Sequence, residues 1–281
     1  MVKQVMPSTY QEALEHLYED EYMILAGGTD LMIQNRSWSE TPVAFRKNVM
    51  YLSHVKELNY IEFSKTHIHI GACVTLETIK NHPYIPRLLK EVILEMASPA
   101  IRHVATLVGN VGNASPAGDS LVVLYLLDAS VVLGSLFGEK EIMIKDFIFG
   151  PRKILMESHQ MIKEIKIPVK TFTMTKFVKV GGRLADAISK VSFAGAVTVE
   201  NQKITQLRLA WGAVYQTVVR NLELERKYTG ITVEALKGKL PQLIQDYSRK
   251  IVPIDDQRSN KKYRKKVAIN LLESFIQSIE G

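Results

Sequence analysis

The chain has 281 residues, 46% hydrophobic and 23% charged, which is ordinary globular composition with room for two domains. Its formal charge of +7 lacks the clustering of a dedicated nucleic-acid binder. A single cysteine, Cys73, excludes an intrachain disulfide framework and any all-cysteine zinc or iron–sulfur site built from this chain alone.

The opening MVKQVMPSTYQEALEHL is polar and charged, so no secretory leader is expected. Thr9 and Glu12 form a capping box, and Ala13, Leu14 and Leu17 give the helical stripe behind it. Residues 22–26 read as a buried strand and Gly27-Gly28 as its turn. Thr29 or Asp30 is placed to cap a helix that begins Leu31-Met32-Ile33. Strand-like pieces follow at 43–52 and 58–63, and 67–72 alternates as a strand does. Residues 76–94 are helical in pieces, interrupted by Pro83 and Pro86. The apolar stretch 121–127 is expected to be a helix capped by Asp119 or Ser120, and Ser130–Leu133 returns as a strand. The longest apolar run, 121–133, contains Asp128 and is too short to span a bilayer. Residues 161–168 alternate and close at Pro168. From about 173 the texture changes. Sheet is expected at 177–180 and 191–200, and a strand pair or a strand and bend at 204–214. Helices are expected at 221–228, 233–249 and 261–279.

Two glycine-turn segments carry the chemistry: AGGTDL at 26–31 and TLVGNVGNASPAGDS at 106–120. Glycine lets backbone approach a ligand closely and tolerates positive φ. A helix start behind such a turn aims free amides and a positive dipole end at an anion. Two such segments suit a diphosphate. The first is not the G-x-G-x-x-G fingerprint and taken alone reads equally as a tight turn. The second packs Thr106, Gly109, Asn110, Gly112, Asn113, Ser115 and Asp119 into fifteen positions, more than a helix cap requires.

ILAGGTDL together with IRHVATLVGNVGNASPAGDSLVVLYLLDA resembles the FAD-binding medium subunit of the molybdenum hydroxylases, the xanthine dehydrogenase and carbon monoxide dehydrogenase family. FVKVGGRLADAISKVSFAGAV, AWGAVYQTVVRN and DDQRSNKKYRKKVAINLL extend the likeness over nearly the whole chain. The resemblance implies an α+β protein. A two-lobed, PCMH-like FAD-binding domain would occupy 1–172, its lobes split near 55, with a small sheet-and-helix domain over 173–281. It places flavin contacts on Ile24, Leu25, Ala26, Gly27, Gly28, Thr29, Asp30 and Leu31. A second set falls on Thr106, Leu107, Val108, Gly109 and Asn110, and single positions on Met96, Asp119, Ile162 and Lys179. Val108 departs from the family's usual glycine, and a β-branched residue there resists positive φ.

The amides of Gly27, Gly28, Gly109 and Asn110 would bind the diphosphate, with the Thr29 and Thr106 hydroxyls adding donors. Asp119 would accept from a sugar or ribityl hydroxyl, cap its helix, or do both. Lys179 would neutralise a phosphate or the reduced flavin, or else be solvated surface. Ile162 would pack on the ring system. The resemblance further implies non-covalent FAD, with molybdopterin and 2Fe–2S clusters on partner subunits only. Electrons would pass from those clusters to NAD+ or another acceptor, in the cytoplasm. A molybdenum-cofactor large subunit and a 2Fe–2S small subunit are the expected partners; neither nucleic acid nor membrane is.

No catalytic side chain and no metal site is assigned. His67 and His69 share a strand face but lack an evident third ligand. His103 reads as packing near the second segment. The basic run Arg258, Lys261, Lys262, Arg264, Lys265 and Lys266 reads as a solvated or subunit-facing helix surface. Two other classes remain at this level: a free-standing flavin oxidase, and an assembly protein that has lost FAD, for which Val108 is the motive. A visible spectrum of the purified chain separates the assembly protein from both flavin-binding readings. Co-purification with larger molybdenum and smaller iron–sulfur chains separates a subunit from an oxidase.

Overall fold

A computed structural model describes residues 2–36, 43–183 and 186–280. Leu184 and Ala185 of the FVKVGGRLADAISK motif lie outside the described residues. The chain folds into two compact units that interleave in sequence. One comprises Met1–Ile85, Ala97–Ala114 and Asp128–Val169; the other comprises Pro86–Met96, Ser115–Leu127 and Lys170–Gly281. Both mix helix and sheet, the α+β class expected. No helix among the described residues is long and apolar enough to cross a membrane.

In the first unit the Thr9 hydroxyl accepts from the Glu12 amide at 3.1 Å, and the Glu12 carboxylate accepts from the Ser8 amide at 2.7 Å. The return bond lands one residue before the cap. It starts the Tyr10–Glu19 helix, which buries Ala13, Leu14 and Leu17 as expected. A three-stranded parallel sheet places Asn48–Tyr51 between Gln4–Val5 and Tyr22–Leu25. The strand expected over 43–52 is thus confined to its apolar end, and Lys56–Leu58 is a 3-10 turn ahead of the Ile61–Phe63 strand.

A five-stranded antiparallel sheet follows, in the order Ile61–Phe63, His67–Gly71, Met161–Pro168, Ser130–Ser135, Gly138–Met143. Its last strand, GEKEIM, has no apolar alternation to betray it. It is an edge strand whose charged, exposed side chains suit the open side of a sheet.

In the second unit the sheet order is Met174–Val180, Val191–Glu200, Lys203–Gly212, Val219–Arg220. Its two faces differ in side-chain size. Phe193 pairs with Trp211 and Gly195 with Leu209 on one face. That face buries Trp211, Tyr247, Leu272 and Phe275, and Trp211 Nε1 donates to the Ala268 carbonyl at 3.1 Å. The other face alternates small residues, with Ser192 opposite Gly212 and Ala194 opposite Ala210.

A Cβ at Gly212 would lie 2.7 Å from Val122, so the Asp119–Leu126 helix lies directly on this small-residue face. All eight of its residues are buried, which explains a sequence apolar all round. The Gly118 residue occupies its N-cap with no side-chain bond, so neither Asp119 nor Ser120 caps it. The 204–214 stretch is one strand followed by a bend. The helix expected over 233–249 breaks at Lys239, with Pro241 in the first turn of the Leu240–Ser248 helix.

Candidate functional site

In the first unit the Tyr22–Leu25 strand ends at the first glycine turn. A Cβ on Gly27 would lie 2.2 Å from the Val104 carbonyl oxygen and 2.9 Å from the Ala105 Cα. Only glycine permits this approach, and it brings the turn against the residues that lead into the second glycine segment. Gly28 has φ +66°, the left-handed region, and a Cβ there would meet Leu25 Cδ2 at 2.7 Å. The Leu31–Gln34 helix follows. Asp30 sits at its N-cap with αR backbone and makes no side-chain cap bond, and Thr29 does not cap it either. Among the described residues, none accepts a hydrogen bond from the backbone amides of Gly27, Gly28 or Thr29. Three successive donors at a helix start are therefore available to an anion.

The second segment is helical from Leu107 to Asn113 rather than a loop. Thr106 is its N-cap: the hydroxyl accepts from the Gly109 amide at 2.9 Å and the carbonyl from the Asn110 amide at 3.1 Å. Those two amides already have acceptors within the helix. Val108 lies in the first turn, is 6% exposed and has no positive φ, so its β-branched side chain meets no backbone conflict. A Cβ on Gly109 would have only Thr106 Oγ1 within 4 Å, and one on Gly112 only Ile162 Cδ1, at 3.5 Å. The two glycines, three residues apart, form a side-chain-free strip, and Ile162 on the five-stranded sheet packs at its far end. The Gln34 side chain donates to Asn113 Oδ1 at 3.0 Å and ties the two segments' helices together.

Glu77 buttresses this part of the first unit from the Leu76–Asn81 helix. It pairs with Lys80 and with the buried Arg102, whose Nε lies at 3.2 Å. The Lys80 hydrogen bond, aided by those from Arg102 and Asn81 and opposed by burial, holds the Glu77 carboxyl down at about 2. The Leu76 amide donates to the Ala105 carbonyl at 2.8 Å, one residue before Thr106.

In the second unit Asp119 and Lys179 form an ion pair at 2.9 Å, with side chains 6% and 8% exposed. Asp119 also accepts from the Ser189 hydroxyl at 2.5 Å, and Lys179 donates to the Glu95 carbonyl at 2.7 Å. Lys179 is therefore no solvated surface group. Met96, 8% exposed, follows Glu95 directly. Burial pushes the Glu95 carboxyl above its usual range; the Lys179 charge opposes this and Asp119 adds to it. Ser189 escaped the sequence reading. Its only signal is its place in the ADAISK stretch that carries the resemblance.

Two of the remaining candidates, His69 and Arg264, have side-chain partners. His69 Nδ1 lies 2.9 Å from Glu164 Oε1, and no metal-binding group of three or more ligands occurs among the described residues. Arg264 leaves the basic surface run: its guanidinium is buried, 3.1 Å from the Ala213 carbonyl and 2.5 Å from Asp256. Burial pushes the Cys73 thiol up to about 11.

Known proteins share this sequence and fold. Residues 1–170 match the family model of the FAD binding domain in molybdopterin dehydrogenase, and 176–279 that of the CO dehydrogenase flavoprotein C-terminal domain. The nicotinate dehydrogenase FAD-subunit of Eubacterium barkeri is 33% identical over 251 residues, covering 84% of this chain and 83% of that one. The glyceraldehyde dehydrogenase medium chain of Sulfolobus acidocaldarius is 27% identical, covering 94% and 92%. A chain of the CO dehydrogenase from Oligotropha carboxidovorans superposes with a TM-score of 0.88 at 21% identity, covering 98% and 96%. A chain of quinoline 2-oxidoreductase from Pseudomonas putida 86 superposes with 0.87 at 21%, covering 99% and 96%. With both domains matched in order along the sequence, the chain belongs to the FAD-binding subunits of the molybdenum hydroxylase family of oxidoreductases.

Proposed function

We propose that this chain binds FAD non-covalently and is the electron-transfer subunit of a molybdenum hydroxylase. In this reading it takes electrons from the 2Fe–2S clusters of a small partner subunit and passes them to NAD+ or another acceptor. A large molybdenum-cofactor subunit carries out the hydroxylation, and the complex works in the cytoplasm. The observation that carries the reading is the contact of Gly27 with the Val104–Ala105 backbone, which joins the two glycine segments of the first unit.

The residues present fit a dinucleotide. The amides of Gly27, Gly28 and Thr29 have no acceptor among the described residues, and the strip at Gly109 and Gly112 leaves space that any Cβ would fill. The Thr106 hydroxyl accepts from Gly109 and keeps its own proton to donate. Ile162 supplies an apolar surface beside Gly112 for a ring. Ile24, Leu25, Ala26, Asp30 and Leu31 flank the turn, and Leu107, Val108 and Asn110 complete the second helix start. In the second unit Asp119, oriented by Lys179 and Ser189, retains acceptor capacity for a hydroxyl, and Met96 offers a polarisable apolar contact. The flavin, when bound, supplies the exchange between two-electron and one-electron chemistry. The residues above bind and orient it.

Purified chain is expected to be yellow, and acid precipitation should release FAD rather than FMN. Colourless protein that no addition of FAD reconstitutes overturns the cofactor assignment. Co-purification with a larger molybdenum chain and a smaller iron–sulfur chain tests the subunit assignment separately.

A further inference from the structure

The Met161–Pro168 strand changes faces in its middle. Against Ser130–Ser135, Ile162 pairs with Leu133 and Glu164 with Val132, so two steps on one strand match one step on the other. Cross-strand partners share a face and successive residues alternate. Ile162 and Glu164 are two apart and would ordinarily share a face. The bulge at Lys163 puts them on opposite faces.

Ile162 faces the Leu107–Asn113 helix, with its Cδ1 at Gly112. Glu164 lies on the other face, where Tyr60 donates to Oε2 at 2.6 Å and His69 Nδ1 meets Oε1 at 2.9 Å. The carboxylate is 10% exposed and bound at both oxygens. The neighbouring strand also holds the bulge from the backbone: the Ala72 amide donates to the Lys163 carbonyl at 2.9 Å. Gly71, the register partner of Glu164, has Tyr60 Cε1 2.9 Å from the site of a Cβ, so the ring crosses the sheet directly over it to reach the carboxylate. Burial and the Glu164 hydrogen bond both push the Tyr60 hydroxyl well above its usual range, so it stays a donor.

We infer that Glu164, clamped by Tyr60 and His69, is a positioning residue: it pins the bulge and thereby holds Ile162 against the glycine strip where the flavin would lie. A one-residue slip of this strand would exchange its faces and turn Ile162 away. The inference rests on the cofactor reading above.

The test compares wild type with Tyr60→Phe, Glu164→Gln and Glu164→Leu, each first shown to be folded by circular dichroism. FAD dissociation constants and the visible flavin band are then measured. Glu164→Leu should weaken FAD by about tenfold or more and shift or broaden the band. Tyr60→Phe should fall between it and wild type. Glu164→Gln, which still fills both positions with hydrogen-bonding atoms, should restore most of the affinity. A Glu164→Leu protein of lower melting temperature that binds FAD with wild-type affinity and an unchanged band reduces Glu164 to a purely structural residue and overturns the inference. Wild-type protein that takes up no FAD overturns the cofactor reading instead.

Discussion

The candidate site residues of the two units are made of different materials. The first unit presents backbone: amides at Gly27, Gly28 and Thr29 with no acceptor among the described residues, and a bare strip at Gly109 and Gly112. The second presents side chains, Asp119 and Lys179, already paired with one another and fastened by Ser189 and the Glu95 carbonyl. Backbone donors cost no charge burial, and partly exposed ones can exchange water for an anion. A buried ion pair must be complete before any ligand binds, because desolvating either charge alone is expensive. Changes in the second unit should therefore show first as lost stability, and changes in the first as lost ligand.

The largest effect is expected from Lys179→Met. It leaves Asp119 buried without its counter-charge, which costs about 3–5 kcal/mol, read as a fall in denaturant midpoint. Adding Asp119→Leu should recover most of that loss while FAD affinity stays low. If the double variant is no more stable than the single one, the two charges are not coupled.

Ser189→Ala comes next. It removes a hydrogen bond to a charged group, worth about 1.5–3 kcal/mol, by the same measurement. A cost near zero would mean that Asp119 is satisfied without it.

Gly28→Ala forces an L-residue into the left-handed region, about 1–2 kcal/mol, and pushes on Leu25. The variant should fold yet lose most bound FAD, measured as flavin-to-protein absorbance ratio. Stoichiometric flavin in this variant would remove the first turn from the site.

Gly109→Ala divides the two materials most sharply. Alanine favours a helix interior by about 1 kcal/mol over glycine, which offsets the displacement of Thr106 Oγ1. The melting temperature should hardly move while FAD affinity falls by about tenfold. A fall in stability without a fall in affinity would reverse the reading of that strip.

The smallest effect is on pH dependence. The Glu77 carboxyl is lowered in the folded state to about 2. Its contribution is complete above the usual carboxylate range and drains away as pH falls through about 2. Glu77→Gln should flatten the acid limb of a stability–pH curve below about pH 4.5 and leave the neutral region parallel to wild type.

Much of this architecture is legible in the sequence. The Thr9–Glu12 signal located the first helix because capping is local. The pair Pro83 and Pro86 located the gap between the Leu76–Asn81 and Arg87–Leu94 helices for the same reason. The Gly138–Met143 strand was invisible, since an exposed edge need not alternate. The glycines of the second segment suggest turns, yet Thr106 caps it into a helix, which removes the difficulty at Val108. The cap assigned to Asp119 failed because the helix starts one residue earlier, with Gly118 at the N-cap, and the Asp119 carboxylate meets Lys179 and Ser189 instead.

By itself the sequence determined the family and both glycine segments, since these depend on residue type at fixed short spacing. Only the tertiary structure decided which donors are free. Gly27 meets Val104, Asp119 meets Lys179 and Ser189, and Glu164 meets Tyr60 and His69 across long separations in sequence. Such pairings are set by how sheets and helices pack. A polar group's availability depends on whether packing delivers it a partner, and no local spacing contains that information.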